Sequence, residues 1–438
     1  MNSKTFAFSV TTILSASALF AEPRVDQSAV TLEQDSQSRL VTVGYELTGE
    51  PAVVTVDFQT NTLANAAGDW VSIGDVNFTN VIGGVNQVVQ PGVRTITWQP
   101  DKSWPDQRIN DGRVRAVVKA WATNAPPDWC VVCLLSDSAI TTRQLADVTF
   151  NPARRRYFAS KEAIPGGDKD SLYKTEYLLL RKIPAAGVVW KMGLGNYAWA
   201  GNYEGYAHKV MLTRDYYIAV YETTRKQQSL FAGTTVTSGQ EDLPVSGASG
   251  NALRGNQSSY PFPDAQGNET HAIDGDSYLG KLRTLSGIDS FDLPTEAQWE
   301  YACRAGTGNP FYFSTANATT MKANMWYNDN AGGSSCHPVG SKTANAWGIY
   351  DMHGNVYEQC LDWWEAHNST KFPDATAVTT NPIGPATGTA KVFRGGDVSR
   401  DWKSAASTSR PSNRVAAPSA TSGNVSFGYR VVCDAVAK

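Results

Sequence analysis

The period of the apolar positions divides the chain. From Leu40 to Leu47 and from Ala52 to Phe58, apolar and polar residues alternate, and Thr48-Gly49-Glu50-Pro51 forms a turn signal between them. Successive side chains of a strand point to opposite faces, so a period of two predicts strands with one covered face. Val93 to Trp98 and Val114 to Trp121 repeat the pattern, and no helical period intervenes. Short strands at this spacing predict an all-β sandwich of immunoglobulin or fibronectin type III character over residues 22–136. Thr123-Asn124-Ala125-Pro126-Pro127 interrupts the pattern, and an apolar strand from Cys130 to Leu135 follows. Residues 137–170 read as a connecting region that includes the break Pro165-Gly166-Gly167-Asp168, and a strand from Tyr177 to Arg181 opens a second domain over 171–438.

In that second domain the period changes. Thr295 follows Pro294 and can cap a first helical turn, and Gln298 stands three residues on, where a capping box needs it. Trp299, Ala302 and Cys303 then share one face, and Gly306 ends the helix. The stretch between Gly250 and Ser290 is a polar insert rich in Asn, Gly, Ser and Asp. Its Asp274-Gly275-Asp276 lacks the ligand spacing of an EF-hand and reads as a loop. The predicted class is α+β, with an all-β first domain.

The first residues change the picture of where the protein works. Lys4, the apolar run from Phe6 to Phe20 and the small residues up to Ala21 have the form of a secretory signal over residues 1–21. The run is too short for a lasting membrane span, so the remaining chain is expected to be secreted or periplasmic. A net charge of −3 gives no broad electrostatic case for nucleic acid or an anionic membrane, and Arg154-Arg155-Arg156 reads as a solvated face. The six cysteines permit disulfides in an oxidising compartment without fixing their connectivity. Cys130 and Cys133 lie three apart on a predicted strand and so face opposite sides, which favours ordinary burial over redox chemistry. None of the five histidines forms a close pair, and no G-x-S-x-G is present.

One stretch carries candidate chemistry, D-M-H-G-N-V-Y-E from Asp351 to Glu358. Adjacent Gly354 and Asn355 suit neither a helix nor a strand interior. They do suit a tight loop in which Asp351, the carbonyls of Gly354 and Val356, and Glu358 converge. Mixed oxygen donors of that kind favour a hard cation, here calcium. The other reading is a turn that leads into an apolar strand.

Several motifs in order carry a resemblance: Trp190-Lys191-Met192-Gly193, the segment from His208 to Phe231 with Tyr217, Tyr221, Glu222 and Thr223, and L-P-T-E-A-Q-W-E-Y-A-C-R-A-G-T from Leu293. His337-Pro338-Val339-Gly340, Asn345 to Glu358, Arg394-Gly395-Gly396 and Gly428-Tyr429-Arg430 complete the set. From about 177 to 432 the chain resembles the formylglycine-generating enzyme (sulfatase-modifying factor) family. The resemblance implies a mixed α/β fold related to C-type lectins. It also implies a structural calcium on Asp351, Gly354, Val356 and Glu358, with Asn324 and Met325 bordering a second site.

It further implies an oxidase that turns a sulfatase cysteine into formylglycine, using two cysteines after R-G-G that hold copper(I). Soft thiolates select that ion. Here those positions fall on Arg400 and Ala405, and no cysteine lies between Cys360 and Cys433. Copper is therefore not expected. The implied function is a non-catalytic module that binds a protein or peptide, a sulfatase or a glycan among the candidates. The alternative is an active member that modifies a sulfatase-like peptide by altered oxidative chemistry. The expected ligand-binding residues are Asp397, Arg400, Trp402, Lys403, Arg410 and Arg414, since Arg and Trp are frequent interface anchors.

Overall fold

The computed structural model describes residues 21–437 apart from 62–68, 74–80, 104–112, 138, 140–153, 194–206, 248, 257–271, 314–316, 334, 366–370, 372–373, 375, 400–414 and 418–426. The signal expected at the N-terminus lies outside the described residues except for Ala21, and Arg400, Trp402, Lys403, Ala405, Arg410 and Arg414 lie outside them as well.

The strand Val41–Thr48 keeps the expected alternation, with Val41, Val43, Tyr45 and Leu47 buried. It pairs antiparallel with Gly92–Trp98 on one side and Thr31–Gln34 on the other. A second sheet centres on Ala52–Asn61, which pairs with Val114–Ala122 and Gln87–Val89. Val43, Ile96 and Trp98 from the first sheet meet Val54, Phe58 and Val118 from the second in one core. The Phe58 and Trp98 rings lie 4.5 Å apart within it.

The outer face of this second sheet is covered too. Val53 is fully buried in a core it shares with Cys130, Tyr157 and Leu180, and Trp121 and Val88 pack against that core. Trp121 Nε1 donates to Thr55 Oγ1 at 2.9 Å, so the indole stays hydrogen-bonded at the seam. A backbone bond from Tyr157 N to Asn86 O, 3.0 Å, crosses the same seam.

The partner across the seam is a five-stranded antiparallel sheet in the order Arg155–Phe158, Trp129–Cys133, Tyr177–Ile183, Tyr216–Ala219, Val432–Asp434. Trp129–Cys133 is thus an inner strand of the second unit, and boundaries drawn at 136 and 170 cut through its sheet. The physical reason is that all five of its residues are buried, as a strand covered on both faces requires. Cys130 points into the core with Tyr157, and Cys133 into the opposite one with Trp129 and Tyr177, as their spacing requires. All six cysteines are free thiols, and only Cys336 is half-exposed.

The arginine run departs from its expected solvated role. Arg154 and Arg155 are buried and Arg156 is half-buried, because the edge strand Arg155–Phe158 is covered by the first unit. Arg154 reaches the carbonyl of Leu135 and the carboxylate of Asp137.

The helix expected after Pro294 is present as Glu296–Arg304, with Thr295 and Gln298 closing the capping box. The polar insert, by contrast, holds two helices, Gly250–Arg254 and Tyr278–Ser286, capped by Ser249 and Ser277. Leu253, Leu279 and Leu282 anchor them in the core around Cys130. Helices this short carry few apolar positions, so the surrounding Asn, Gly and Ser masked their period. Asp274-Gly275-Asp276 itself is the turn before the second helix. Among the described residues no helix is long and apolar enough to cross a membrane.

Because Val53 fills the core of the second unit, Val53→Ala should act across the seam. The expected cost is about 1.5–3 kcal/mol. Hydrogen exchange should quicken in Tyr177–Ile183 as well as in Ala52–Asn61. Exchange that changes only in the mutated strand would show the two cores to be independent.

Candidate functional site

Glu358 lies at the start of the strand Tyr357–Trp363 and is fully buried against Arg430. The pair is bidentate, with Arg430 Nε at 2.5 Å from Oε2 and Nη2 at 2.6 Å from Oε1. Trp299 Nε1 from the helix Glu296–Arg304 donates to Oε2 at 2.7 Å. Arg430 also donates to the carbonyls of Ala219 and Tyr350, each at 3.0 Å. Desolvation pulls the guanidinium pKa down, but the charge and hydrogen bonds of Glu358, together with the charges of Glu222 and Asp351, outweigh it and hold the pKa above the usual value.

Glu222 lies next to this pair, also fully buried. It accepts from Asn355 Nδ2 at 2.6 Å and from Val356 N at 3.2 Å, while Asn355 Oδ1 accepts from His337 N at 2.9 Å. Burial, reinforced by the charges of Asp351 and Glu358, holds its carboxyl well above the usual range. Asp351 has φ 57 and accepts from Gly340 N at 2.6 Å through Oδ2. Burial pushes its carboxyl up to about 6, although the Gly340 amide and Arg430 pull the other way.

Gly354 is required where it stands. Its φ is 79, and a Cβ there would lie 2.0 Å from the Trp326 carbonyl oxygen. Gly354 N donates to Gly395 O at 2.8 Å, and Val398 N donates to Asn355 O at 3.1 Å, so this loop and the R-G-G turn support each other.

Of the four donors expected to hold calcium, Glu358 is already engaged by protein partners in this arrangement. Both Glu358 oxygens are engaged by Arg430 and Trp299, and a cation would have to break a bidentate buried pair to reach them. Asp351 Oδ1 is buried with no hydrogen-bond partner. At the expected second site, the Asn324 carbonyl accepts from Tyr312 OH and the Met325 carbonyl from Asn330 Nδ2, each at 3.0 Å. Among the described residues no three acidic, histidine or cysteine side chains form a group able to hold a metal.

Arg394 of the R-G-G turn is likewise structural. It lies 2.6 Å from Glu296 Oε1 and 3.0 Å from Glu300 Oε2, which fastens the helix to the strand Lys391–Arg394. Lys391, on the same strand, donates to Leu361 O at 2.6 Å, and burial brings its ammonium down to about 7. Of the six expected ligand residues only Asp397 is described. It is buried, and its Oδ1 accepts from Ser399 N and Ser399 Oγ at 3.1 and 2.8 Å. Its carboxylate therefore shapes the turn that leads into residues 400–414 instead of presenting itself at the surface.

The sequence places Trp299 on a helix face, Asn355 in a tight loop, and Glu222 and Arg430 in motifs, but gives none of them a part in the site. A signal existed: Glu222 and Glu358 each sit inside apolar flanks, A-V-Y-E and V-Y-E-Q-C-L, where no polar face is available. A charge in such a run needs a buried partner.

Glu358→Ala should leave Arg430 buried and uncompensated, at a cost of roughly 3–5 kcal/mol in urea unfolding. Asp351 gives a pH signature. With a folded pKa of about 6, raised above the unfolded value, the native state binds the extra proton, so stability should fall as pH rises from about 4 to about 6. Asp351→Asn keeps an oxygen for Gly340 N and should flatten that slope. An unchanged slope would assign it to other groups.

Comparison with known proteins places this geometry. A model of the sulfatase-modifying factor enzyme 1-like domain matches residues 184–435. The formylglycine-generating enzyme of Thermomonospora curvata is 37% identical over 116 residues, which cover 24% of this chain and 37% of that enzyme. The chain thus spans little more than a third of that relative's length. A chaperone protein, LppX, of Paenibacillus barcinonensis is 29% identical over 199 residues, 39% of this chain and 69% of that protein. Among solved structures, Treponema denticola variable protein 1 is similar at a TM-score of 0.43 and 24% identity, covering 59% of this chain and 95% of that one. With more than half of its length matched by the domain model, the chain belongs to the sulfatase-modifying factor family, in its formylglycine-generating-enzyme-like domain.

Proposed function

We propose that this protein is a secreted, non-catalytic member of its family that binds a protein or peptide partner through residues 400–414. The observation that carries the reading is the absence of thiols where copper(I) would be held. Arg400 and Ala405 occupy those positions, and the sequence has no cysteine between Cys360 and Cys433. A guanidinium and a methyl group supply no soft donor. The neighbouring thiols offer no replacement, since burial pushes both Cys360 and Cys433 well above the usual thiol range and a protonated thiol is a poor ligand.

The proposed surface starts from a buried support. Asp397, Val398 and the Gly354–Gly395 bond fix the start of the segment on a buried framework. Beyond it the sequence offers Arg400, Trp402, Lys403, Arg410 and Arg414, a mixture of planar cations and one large aromatic. Such residues act as interface anchors when their base is rigid. A sulfatase peptide or a glycan are the candidate partners, and the likeness to a protein named as a chaperone agrees with binding rather than turnover. The two N-terminal sheets, of immunoglobulin or fibronectin type, would serve as a spacer or adhesion unit.

Two measurements test this. Incubation with copper and a cysteine-containing sulfatase peptide should yield no aldehyde by mass spectrometry, whereas turnover would favour the altered-oxidase reading. On peptide and glycan arrays, Trp402→Ala and Arg400→Ala should each weaken binding by about 2 kcal/mol, roughly thirtyfold. Equal binding by parent and both variants would move the partner to another surface.

A further inference from the structure

The seam between the two units is not filled throughout. A cavity of about 640 Å3 opens between the outer face of the second N-terminal sheet and the edge of the five-stranded sheet. Packed interiors leave few voids larger than a water, whereas ligand sites of roughly 300–1,000 Å3 recur at domain boundaries. One wall carries Val117 of the first unit. The other is the face of Val131 and Phe158, closed by Tyr173 and Tyr177, four residues of one buried cluster.

The charged groups of the lining do not select a charged ligand. Both signs are present, Asp57, Glu162 and Asp170 against Lys119 and Arg156. The Asp57 carboxylate accepts from Gln59 Nε2 and Ser72 Oγ, and that of Asp170 accepts from Leu172 N. The Lys119 ammonium lies 3.8 Å from the Trp121 ring centroid. Two of the uncharged polar groups are engaged as well. Tyr173 OH donates to Pro165 O at 2.6 Å, and Thr55 Oγ1 accepts from Trp121 Nε1 at 2.9 Å.

Asn86 differs from these. Its backbone is fixed at the seam, where its N donates to Val54 O at 2.6 Å and its O accepts from Tyr157 N at 3.0 Å. Its φ is 56, in the left-handed region that asparagine tolerates better than most residues. The half-buried side chain lines the cavity, and its amide has no hydrogen-bond partner among the described residues. A side-chain amide offers donors and an acceptor without charge, which matches a hydroxyl or a carbonyl.

We propose that this cavity binds a small neutral amphiphile, with an apolar body against Val131, Phe158 and Tyr173 and one uncharged hydroxyl or carbonyl head hydrogen-bonded to the Asn86 amide. The site uses none of the residues of the proposed partner surface. The apolar walls select such a body over a free sugar or an inorganic ion. A charged head of either sign would be desolvated against a lining of mixed sign, which does not offset the cost. The single neutral hydrogen bond corresponds to about fivefold in affinity.

The test is titration calorimetry of the full chain with decanol, decanoate and decyltrimethylammonium, three probes that share one tail. Decanol should bind about tenfold tighter, or more, than either ion. Asn86→Gly suits the left-handed backbone and removes the amide, so it should weaken decanol about fivefold. Ala163→Trp and Val117→Trp fill the cavity from opposite walls, and each should weaken decanol more than Asn86→Gly does. No decanol binding by the parent, or binding of either ion as tight as that of decanol, would overturn the proposal. So would undiminished decanol binding by Asn86→Gly, or by a filled variant that keeps the parental melting temperature.

Discussion

The second unit depends on a charge pair that water does not reach. Glu358 and Arg430 are both fully buried, and the desolvation of two such ions is offset only if nearly every hydrogen-bonding group they own finds a partner. That requirement explains the surroundings. Trp299 is aimed at Glu358, and the carbonyls of Ala219 and Tyr350 are turned toward Arg430. A helix, a loop and two strands thereby converge on one point. A buried pair of this kind fixes geometry more than it adds stability. An alternative packing that separated Glu358 from Arg430 would strand a charge in an apolar interior.

Arg394 repeats the arrangement one strand away, between Glu296 and Glu300, and Arg304 joins Glu300 from the same helix. The motif arginines of this chain are therefore framework. What they hold in place is a pair of loops, one from Asp351 to Val356 and one from Gly395 to Ser399, cross-linked by backbone bonds. Catalysis and recognition in such a unit fall to whatever side chains are hung on that platform.

The strand Val41–Thr48 was legible because it has one covered face, so its period of two survives in the sequence. The capping box at Thr295 was legible for a similar reason, being a local bond between residues three apart. Trp129–Cys133 was misplaced because a strand covered on both faces loses its period, and nothing local says which sheet will claim it. The short helices around Leu253 and Leu282 carried too few apolar positions to reveal a period of 3.6. At the candidate site the motif order pointed to the family and to the loop from Asp351 to Glu358. It could not separate a carboxylate that binds a cation from one that binds a guanidinium, since the partner of Glu358 stands 72 residues away in the chain.

Val53 and Cys433 belong to a single core, although nearly the whole chain separates them. Synthesis therefore delivers the first sheets long before the surface they must cover exists. Until the strand Arg155–Phe158 and the sheet it borders are in place, Val53, Val88 and Trp121 lack their apolar cover. Contacts of such range are slow to close, because the chain entropy of the long loop is lost before the packing that offsets it is gained. The nascent protein accordingly passes through a stage that is half-structured and adhesive.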